Sequence, residues 1–445
     1  MSDAPGERGD TPGDRAHTVD AASIEPMRRE GGWALPDNRW DLLDGMLPAS
    51  APTVSVVVVH YEQPGELART LLALDRQHFP AERMEVIVVD DGSAEPPAVP
   101  AHVRLLVQQD RGFRAAAARN LGAAAANNRI LVFLDADTAP EPDYLANLVR
   151  LPALTWDAVA VGRRRHADLA SAPADADIAV AGRAAELEEP RWLREAYAQT
   201  GDLLRADLHG YRYLIGAVVA CSRRFFHELG GFDESFTRYG GEDWEWAYRA
   251  WLHGAVLAHV SDAVAWHDGP DRAVREPAAL EAKNAEVLAL AHLIPVVGSR
   301  AHALPAEKAD VVVTGPPASA TDGQAFVSRD SVLAELRTAE TAGSGWRADA
   351  RYDRVRVEVV VERPVRVAAG ALADAVAAIE SGEYLEVALL SPGGSPLLRL
   401  VSRRAAARQS RWGGGPLLPS LELAASGVTE LVSEVDVEAY VGGWG

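Results

Sequence analysis

With 445 residues, 48% of them hydrophobic and 24% charged, the chain exceeds one ordinary domain and has enough apolar material for a large core. Its 44 Lys and Arg against 64 Asp and Glu give a formal charge of −20, which opposes binding to nucleic acid or to an anionic membrane surface. Cys221 is the only cysteine, so an internal disulfide is excluded and a reducing, cytoplasmic setting is expected.

Residues 1–20 are rich in Gly, Pro and charge without an apolar stretch, and read as a disordered leader. Residues 21–52 form an N-terminal lead-in carrying Trp33 and Trp40. From residue 53 the pattern changes. "TVSVVVVHY" is a β-branched run of the kind buried on both faces of a parallel sheet, and "GELARTLLALDRQ" follows it with helical spacing. "MEVIVVDDGS" and "VRLLVQQD" are further strands, "FRAAAARNLGAAAAN" is a helix, and "RILVFLDAD" is a fourth strand. Strands alternating with helices predict an α/β fold with a mostly parallel, helix-flanked sheet, Rossmann-like in its nucleotide-binding half.

In such sheets ligands gather beyond the C-terminal strand ends, and polar residues cluster there in this sequence. His60, Tyr61 and Glu62 follow the first strand, Asp90 and Asp91 the second, and Asp135-Ala136-Asp137 the fourth. Asp135 and Asp137 stand at i and i+2, on one side of an extended segment, and suit Mn²⁺ or Mg²⁺ shared with a substrate diphosphate. Asp90 and Asp91 fit a nucleobase or ribose, or an Asp-Gly turn with Asp91 accepting a backbone N–H. Arg111, Arg114 and Arg119 follow, and Arg119 is the arginine expected to present its planar fork to a pyrophosphate or base carbonyl.

Residues 156 to about 212, rich in Ala and charge, read as helices and loops forming a flap or acceptor wall. "YLIGAVVACSRRFFHELGGFDESF" returns to strand and helix. In "RYGGEDWEWAYRAW" a helix is expected to begin at about Asp243, after Gly240 and Gly241, which let the backbone pass close to a ligand. Asp243 could be an N-cap. Tyr239, Trp244 and Trp246 offer a stacking wall for a sugar ring. His267 in "VAWHD" is a candidate third metal ligand, with His60 as its rival. "EPAALEAKNAEVLALAHLIP" predicts a helix with apolar positions Leu280, Val287, Leu288 and Leu290.

The motifs "VSVVVVHYEQ", "VIVVDDGS", "AAARNLGAA", "LVFLDAD", "GGFDESFTRYGGEDWEWAYR" and "VAWHD" occur in the order seen in family 2 glycosyltransferases of the GT-A fold. The later motifs resemble bacterial chondroitin-polymerase catalytic units and the galactosyltransferase C-terminal motif. The resemblance covers about residues 53–270. It implies a UDP-sugar donor, a divalent cation and transfer with inversion. By position, Asp137 and His267 would ligate the metal, with Asp135 at the metal or ribose. Asp90 and Asp91 would lie at base and ribose, Asp243 would be the general base, and Glu242 would hold donor or acceptor hydroxyls. The implied acceptor is a glycan, a peptide or a small natural product. Tyr239 stands where galactosyl-type relatives often carry tryptophan. Only one complete motif set is present, which argues against a two-sugar polymerase.

The catalytic unit is thus placed at residues 53–298 and an accessory C-terminal unit, a possible oligomer contact, at 305–445. Between them Val54–Asp90 and Val355–Ser391 share a strand-helix-strand pattern at an offset of 301, so a degenerate second nucleotide-binding-like unit is one reading of the second segment. A nicotinamide enzyme is set aside because "HYEQPGE" lacks G-x-G-x-x-G. A non-catalytic sugar-binding protein on the same fold is the alternative. No apolar run is long enough for an integral membrane segment.

Overall fold

The computed structural model describes residues 25–270, 278–336 and 338–442; the expected leader, residues 1–20, lies outside them. Val54–His60 is the centre of the first half of a nine-stranded sheet. Met84–Asp90 and Ile130–Asp135 pair with it in parallel on either side, and Arg104–Val107 closes the edge beyond Met84–Asp90. The apolar runs of the three inner strands are largely buried, from Val56, Val57 and Val58 to Ile87, Val88, Leu131 and Phe133, whereas the edge strand leaves Val107 exposed. The helices Pro64–Asp75 and Ala115–Ala125 pack their Leu and Ala positions on this half.

The parallel pattern stops at Val218–Ser222, which runs antiparallel to both Ile130–Asp135 and Ala158–Ala167. Ala158–Ala167 then pairs in parallel with the long strand Val256–Asp268, and Thr138–Pro140 runs antiparallel to the end of that strand. The first half is therefore parallel and the second mixed.

Two local expectations are corrected. "AVAVGRRRHA" is a ten-residue strand of the main sheet, where helix and loop were expected. Its first half and its last two residues are buried, but the three arginines between them are partly exposed, and Arg163 and Arg165 meet Glu189 and Glu186 and break the apolar pattern that marks a strand. The Ala278–Leu293 helix exists, yet Leu280, Val287 and Leu288 are exposed and only Leu290 of the four is buried.

The lead-in folds back as a hairpin, Met27–Arg29 with Gly32–Ala34, and is pinned by Asn38. The Asn38 amide donates to the Leu203 and Leu257 carbonyls, and its carbonyl accepts the Leu257 N–H at 2.7 Å.

The C-terminal unit has its own six-stranded sheet and its own core around Val359, Val387 and Leu400. It is not built as a copy of the first. Val54–His60 and Met84–Asp90 are hydrogen-bonded neighbours, whereas Pro396–Ser402 lies between Val357–Val361 and Glu386–Leu390. A shared order of elements hid a different pairing.

The two units are joined by the helix Arg403–Trp412. Asp157, wholly buried at the foot of the Ala158–Ala167 strand, accepts the Trp412 indole N–H at 2.7 Å and lies 3.6 and 3.7 Å from Arg408 and Arg411. Arg404 donates to the carbonyls of Trp251 and Ala255. Removing one partner of a buried ion pair strands the other charge, at a cost of about 3–5 kcal/mol. Asp157→Ala is therefore expected to destabilise the chain by about that amount, measured as a lowered urea midpoint.

Candidate functional site

Arg119 leaves the Ala115–Ala125 helix, is 4% exposed, and is gripped from two sides. One guanidinium nitrogen donates to Asp135 at the end of its strand, and the other to Glu242 at the start of the Glu242–Leu252 helix, both at 2.9 Å. The fork expected to face a pyrophosphate is thus engaged by two carboxylates. Burial alone would weaken the Arg119 charge, but Asp135, Glu242 and Asp243 overcompensate and raise its pKa.

Gly241 opens the Glu242–Leu252 helix with φ +95°, and a Cβ there would stand 2.8 Å from the Phe236 ring. Asp243 is therefore inside the first turn and is not the N-cap. Its Oδ2 accepts the Gly216 N–H at 3.1 Å and its Oδ1 the Trp244 N–H at 2.8 Å. Burial raises its pKa, with Gly216, Arg119 and Trp244 pulling the other way. Burial also raises that of Glu242, and the Asp243 charge adds to the effect. Gly216 packs tightly here, since a Cβ would lie 3.2 Å from Asp243 Cβ and 3.3 Å from Arg119 Cζ and would require both to shift by a few tenths of an ångström. Sequence reasoning missed Gly216; its place just before the apolar run "AVVACS" was the available signal.

Across from this group, Asp137 Oδ2 lies 3.4 Å from His267 Nε2. The two come together because the backbone N–H of Asp268 donates to the Asp137 carbonyl, and Thr138 pairs with His267 in the ladder. Gln63, a second residue that sequence reasoning missed, donates to Asp137 Oδ2 at 3.2 Å. His267 Nδ1 is 3.2 Å from the Gly269 carbonyl and can donate to it while Nε2 faces Asp137. Burial alone would raise the pKa of Asp137, but His267, Gln63 and Thr138 lower it to about 2.

Other expected site residues are sealed or displaced. His60 and Asp90 are fully buried and bound to each other at 2.8 Å. Asp90 also accepts the hydroxyl and N–H of Ser93, and His60 Nε2 accepts the Gln63 N–H. This closed cluster braces the strand ends. Asp91 accepts from the Gln108 amide and from the backbone N–H of Arg114, 23 residues along the chain and not within the Asp-Gly turn. Glu62 accepts the Ala94 N–H, while Tyr61 is exposed. Ala136 is buried and contributes its carbonyl to Thr70. Asp135 stays with Arg119, and among the described residues no group of three or more His, Cys, Asp or Glu forms a metal cage. Trp246 belongs to the core with Phe226 and Phe232, whereas Trp244 meets Trp192 at 6.4 Å and Lys283 at 5.0 Å.

Two family models match this region. Residues 55–228 match glycosyl transferase family 2, and residues 203–265 match the model described as the N-terminal domain of galactosyltransferase. The chain carries a family 2 glycosyltransferase domain. Among curated relatives, a chondroitin synthase of Escherichia coli is 30% identical over 265 residues, which are 54% of this chain and 38% of the relative. A validoxylamine A glucosyltransferase of Streptomyces hygroscopicus subsp. jinggangensis is 33% identical over 225 residues, 46% of this chain and 53% of the relative. A hyaluronan synthase of Pasteurella multocida is 28% identical, over 55% of this chain and 27% of the relative. The chain thus spans about half or less of the length of these relatives. Among solved structures, a mannosyltransferase from Pyrobaculum calidifontis in complex with GDP-Man and Mn²⁺ is 22% identical with a TM-score of 0.39, covering 52% of this chain and 61% of that one.

Within the glycosyltransferase domain, Arg119→Met should leave the buried carboxylate of Glu242 without its cation and cost about 3–5 kcal/mol in thermal or urea unfolding. Arg119→Lys, a single point charge in place of a fork, is expected to recover only part of it. The lowered pKa of Asp137, about 2 against ~3.9 for a free aspartate, sets a pH window. The stabilisation is present above ~pH 4 and is lost as pH falls towards 2. In metal-free protein Asp137→Asn should flatten the acid limb of the stability profile in that window, followed by circular dichroism.

Proposed function

We propose that the chain is a metal-dependent, inverting glycosyltransferase, moving a sugar from a nucleotide-sugar donor, probed first as a UDP-sugar, to an acceptor hydroxyl. The observation that carries the proposal is the convergence of two groups from distant parts of the chain. Asp137 and His267 stand 3.4 Å apart on one side, while Arg119 couples Asp135 to the helix start bearing Glu242 and Asp243 on the other.

The residues present fit a divalent cation. A carboxylate oxygen and an imidazole nitrogen facing each other at this distance call for a proton or a cation between them. Asp137 and His267 would hold Mn²⁺ or Mg²⁺, which is commonly bound by one or two protein groups plus substrate phosphates. When bound, the ion neutralises charge on the departing diphosphate.

Asp243 supplies the base. Both of its oxygens already accept backbone N–H groups, yet each keeps a second lone pair for a hydroxyl proton. Burial makes the carboxylate more basic than a free aspartate, which suits proton abstraction as the new bond forms. The acceptor oxygen bonds to the anomeric carbon, the bond from that carbon to the diphosphate breaks, and the acceptor proton passes to Asp243. A single in-line displacement of this kind inverts the anomeric centre. Glu242 Oε2 is buried without a hydrogen-bond partner among the described residues, an open acceptor for a sugar hydroxyl. Trp244 and Trp192 line the side where an acceptor would approach.

The names of the curated relatives include both polysaccharide synthases and a small-molecule glucosyltransferase, so glycans, peptides and small natural products are the acceptors to screen. Among the described residues no helix is long and apolar enough to cross a membrane. A cytoplasmic enzyme is the setting we propose, with its one thiol buried.

UDP release from a panel of UDP-sugars with Mn²⁺ tests the reading. Asp243→Asn is expected to lower kcat by about 10²–10⁴-fold with little change in donor KM. Asp137→Ala, or chelation of the metal, should abolish turnover. Undiminished activity in both variants would refute the assignment.

A further inference from the structure

A cavity of about 220 Å³ lies between the Arg191–Thr200 helix and the paired strands Ala158–Ala167 and Val256–Asp268. None of its lining residues belongs to the constellation described above. One wall is apolar, with Leu193 and Tyr197 from the helix. The other carries Arg163 and Arg164, and Arg194 stands exposed on the helix side. Arg163 is paired with Glu189 at 2.8 Å. The Arg194 guanidinium has no ion pair or hydrogen bond among the described residues, so its charge is open to a ligand.

His259 is the deciding residue. It is 7% exposed, and its ring stacks on Tyr197 at 3.6 Å with an interplanar angle of 2°. Its Nδ1 is 2.7 Å from Asp202 Oδ1, which fixes the Nδ1–H tautomer and leaves the lone pair on Nε2. His259 lines the cavity, and its buried Nε2 has no hydrogen-bond partner among the described residues. A buried acceptor left open costs free energy that a donor from a ligand recovers.

We infer that this cavity is a binding site for a small polyhydroxylated anion, of monosaccharide size, carrying a carboxylate or a phosphate. The arginines recognise the anionic group, since their forks match either oxyanion. His259 Nε2 accepts a hydroxyl proton in a hydrogen bond, and the Leu193 and Tyr197 wall covers the carbon skeleton. The volume lies below the ~300–1,000 Å³ of drug-sized pockets, so a whole nucleotide sugar does not fit. The inference does not rest on the transfer chemistry proposed above.

Isothermal titration calorimetry on the full chain tests it, with glucuronate and glucose 6-phosphate as probes and glucose as the neutral control. At least one anion is expected to bind about tenfold or more tightly than glucose, and the better of the two identifies the anionic group. Arg194→Ala, at an exposed position, should keep the native circular dichroism spectrum and weaken that binding by about tenfold. His259→Phe should keep the ring stack and also weaken binding. Should that variant fail to fold, the wild-type preference and Arg194→Ala still decide. Saturating UDP and Mn²⁺ should not displace the probe. Equal affinity for glucose, unchanged binding in Arg194→Ala, or displacement by UDP would each overturn the inference.

Discussion

A guanidinium taken out of water needs charge partners, and Arg119 finds them at its two terminal nitrogens in carboxylates from two remote parts of the chain. Asp135 belongs to a strand end of the parallel half, and Glu242 to a helix start more than a hundred residues later. The distance between the strand end at Asp135 and the helix start at Glu242 is fixed by one rigid planar group. Gly216 is part of the same constraint, because any side chain there would press on Arg119 and Asp243 together. The site is a joint between two halves of a sheet, and a single buried cation closes it.

The polar residues at the strand ends divide into two kinds. His60, Asp90 and Ser93 satisfy one another and form a sealed floor. Asp137 and His267 face each other partly exposed, while Glu242 keeps one buried oxygen without a partner among the described residues. The difference comes from depth. A group one residue further along a buried strand is enclosed by its neighbours, while the next one emerges where the helices part. This is the usual arrangement at the C-terminal edge of an open α/β sheet.

Much of this was legible in the amino-acid order. The β-branched runs 54–60, 84–90 and 130–135 have one plausible fate, and the polar residues that follow them mark the functional edge. The resemblance of ordered motifs brought Asp137 and His267 together across 130 residues, something periodicity could not do. What stayed hidden was set by partners rather than by local pattern. Whether Asp135 faces a metal or an arginine depends on Arg119, and Arg119 is placed by a helix whose register is not encoded near Asp135. The Ala158–Ala167 strand was obscured because its outer half carries arginines that find their carboxylates in a later loop. The Ala278–Leu293 helix misled in the opposite sense, showing apolar residues that the described chain leaves uncovered. The C-terminal unit shared an order of elements with the first, but strand adjacency is a tertiary property and differed.

The long strand Val256–Asp268 contains an irregularity between Val260 and Val264. Val260 faces Gly162 and Val264 faces Arg163, so the intervening residues bulge out unpaired before the ladder resumes. That interruption sets the alignment by which His267 comes to lie opposite His166 and beside Asp137. Because side chains in a strand alternate between faces, adding or losing one residue beyond the bulge would carry the imidazole to the opposite surface of the sheet. The segment can therefore vary its chemistry in the loop-out more freely than its length after it. The spacing from Val264 to His267 acts as a ruler for the cleft.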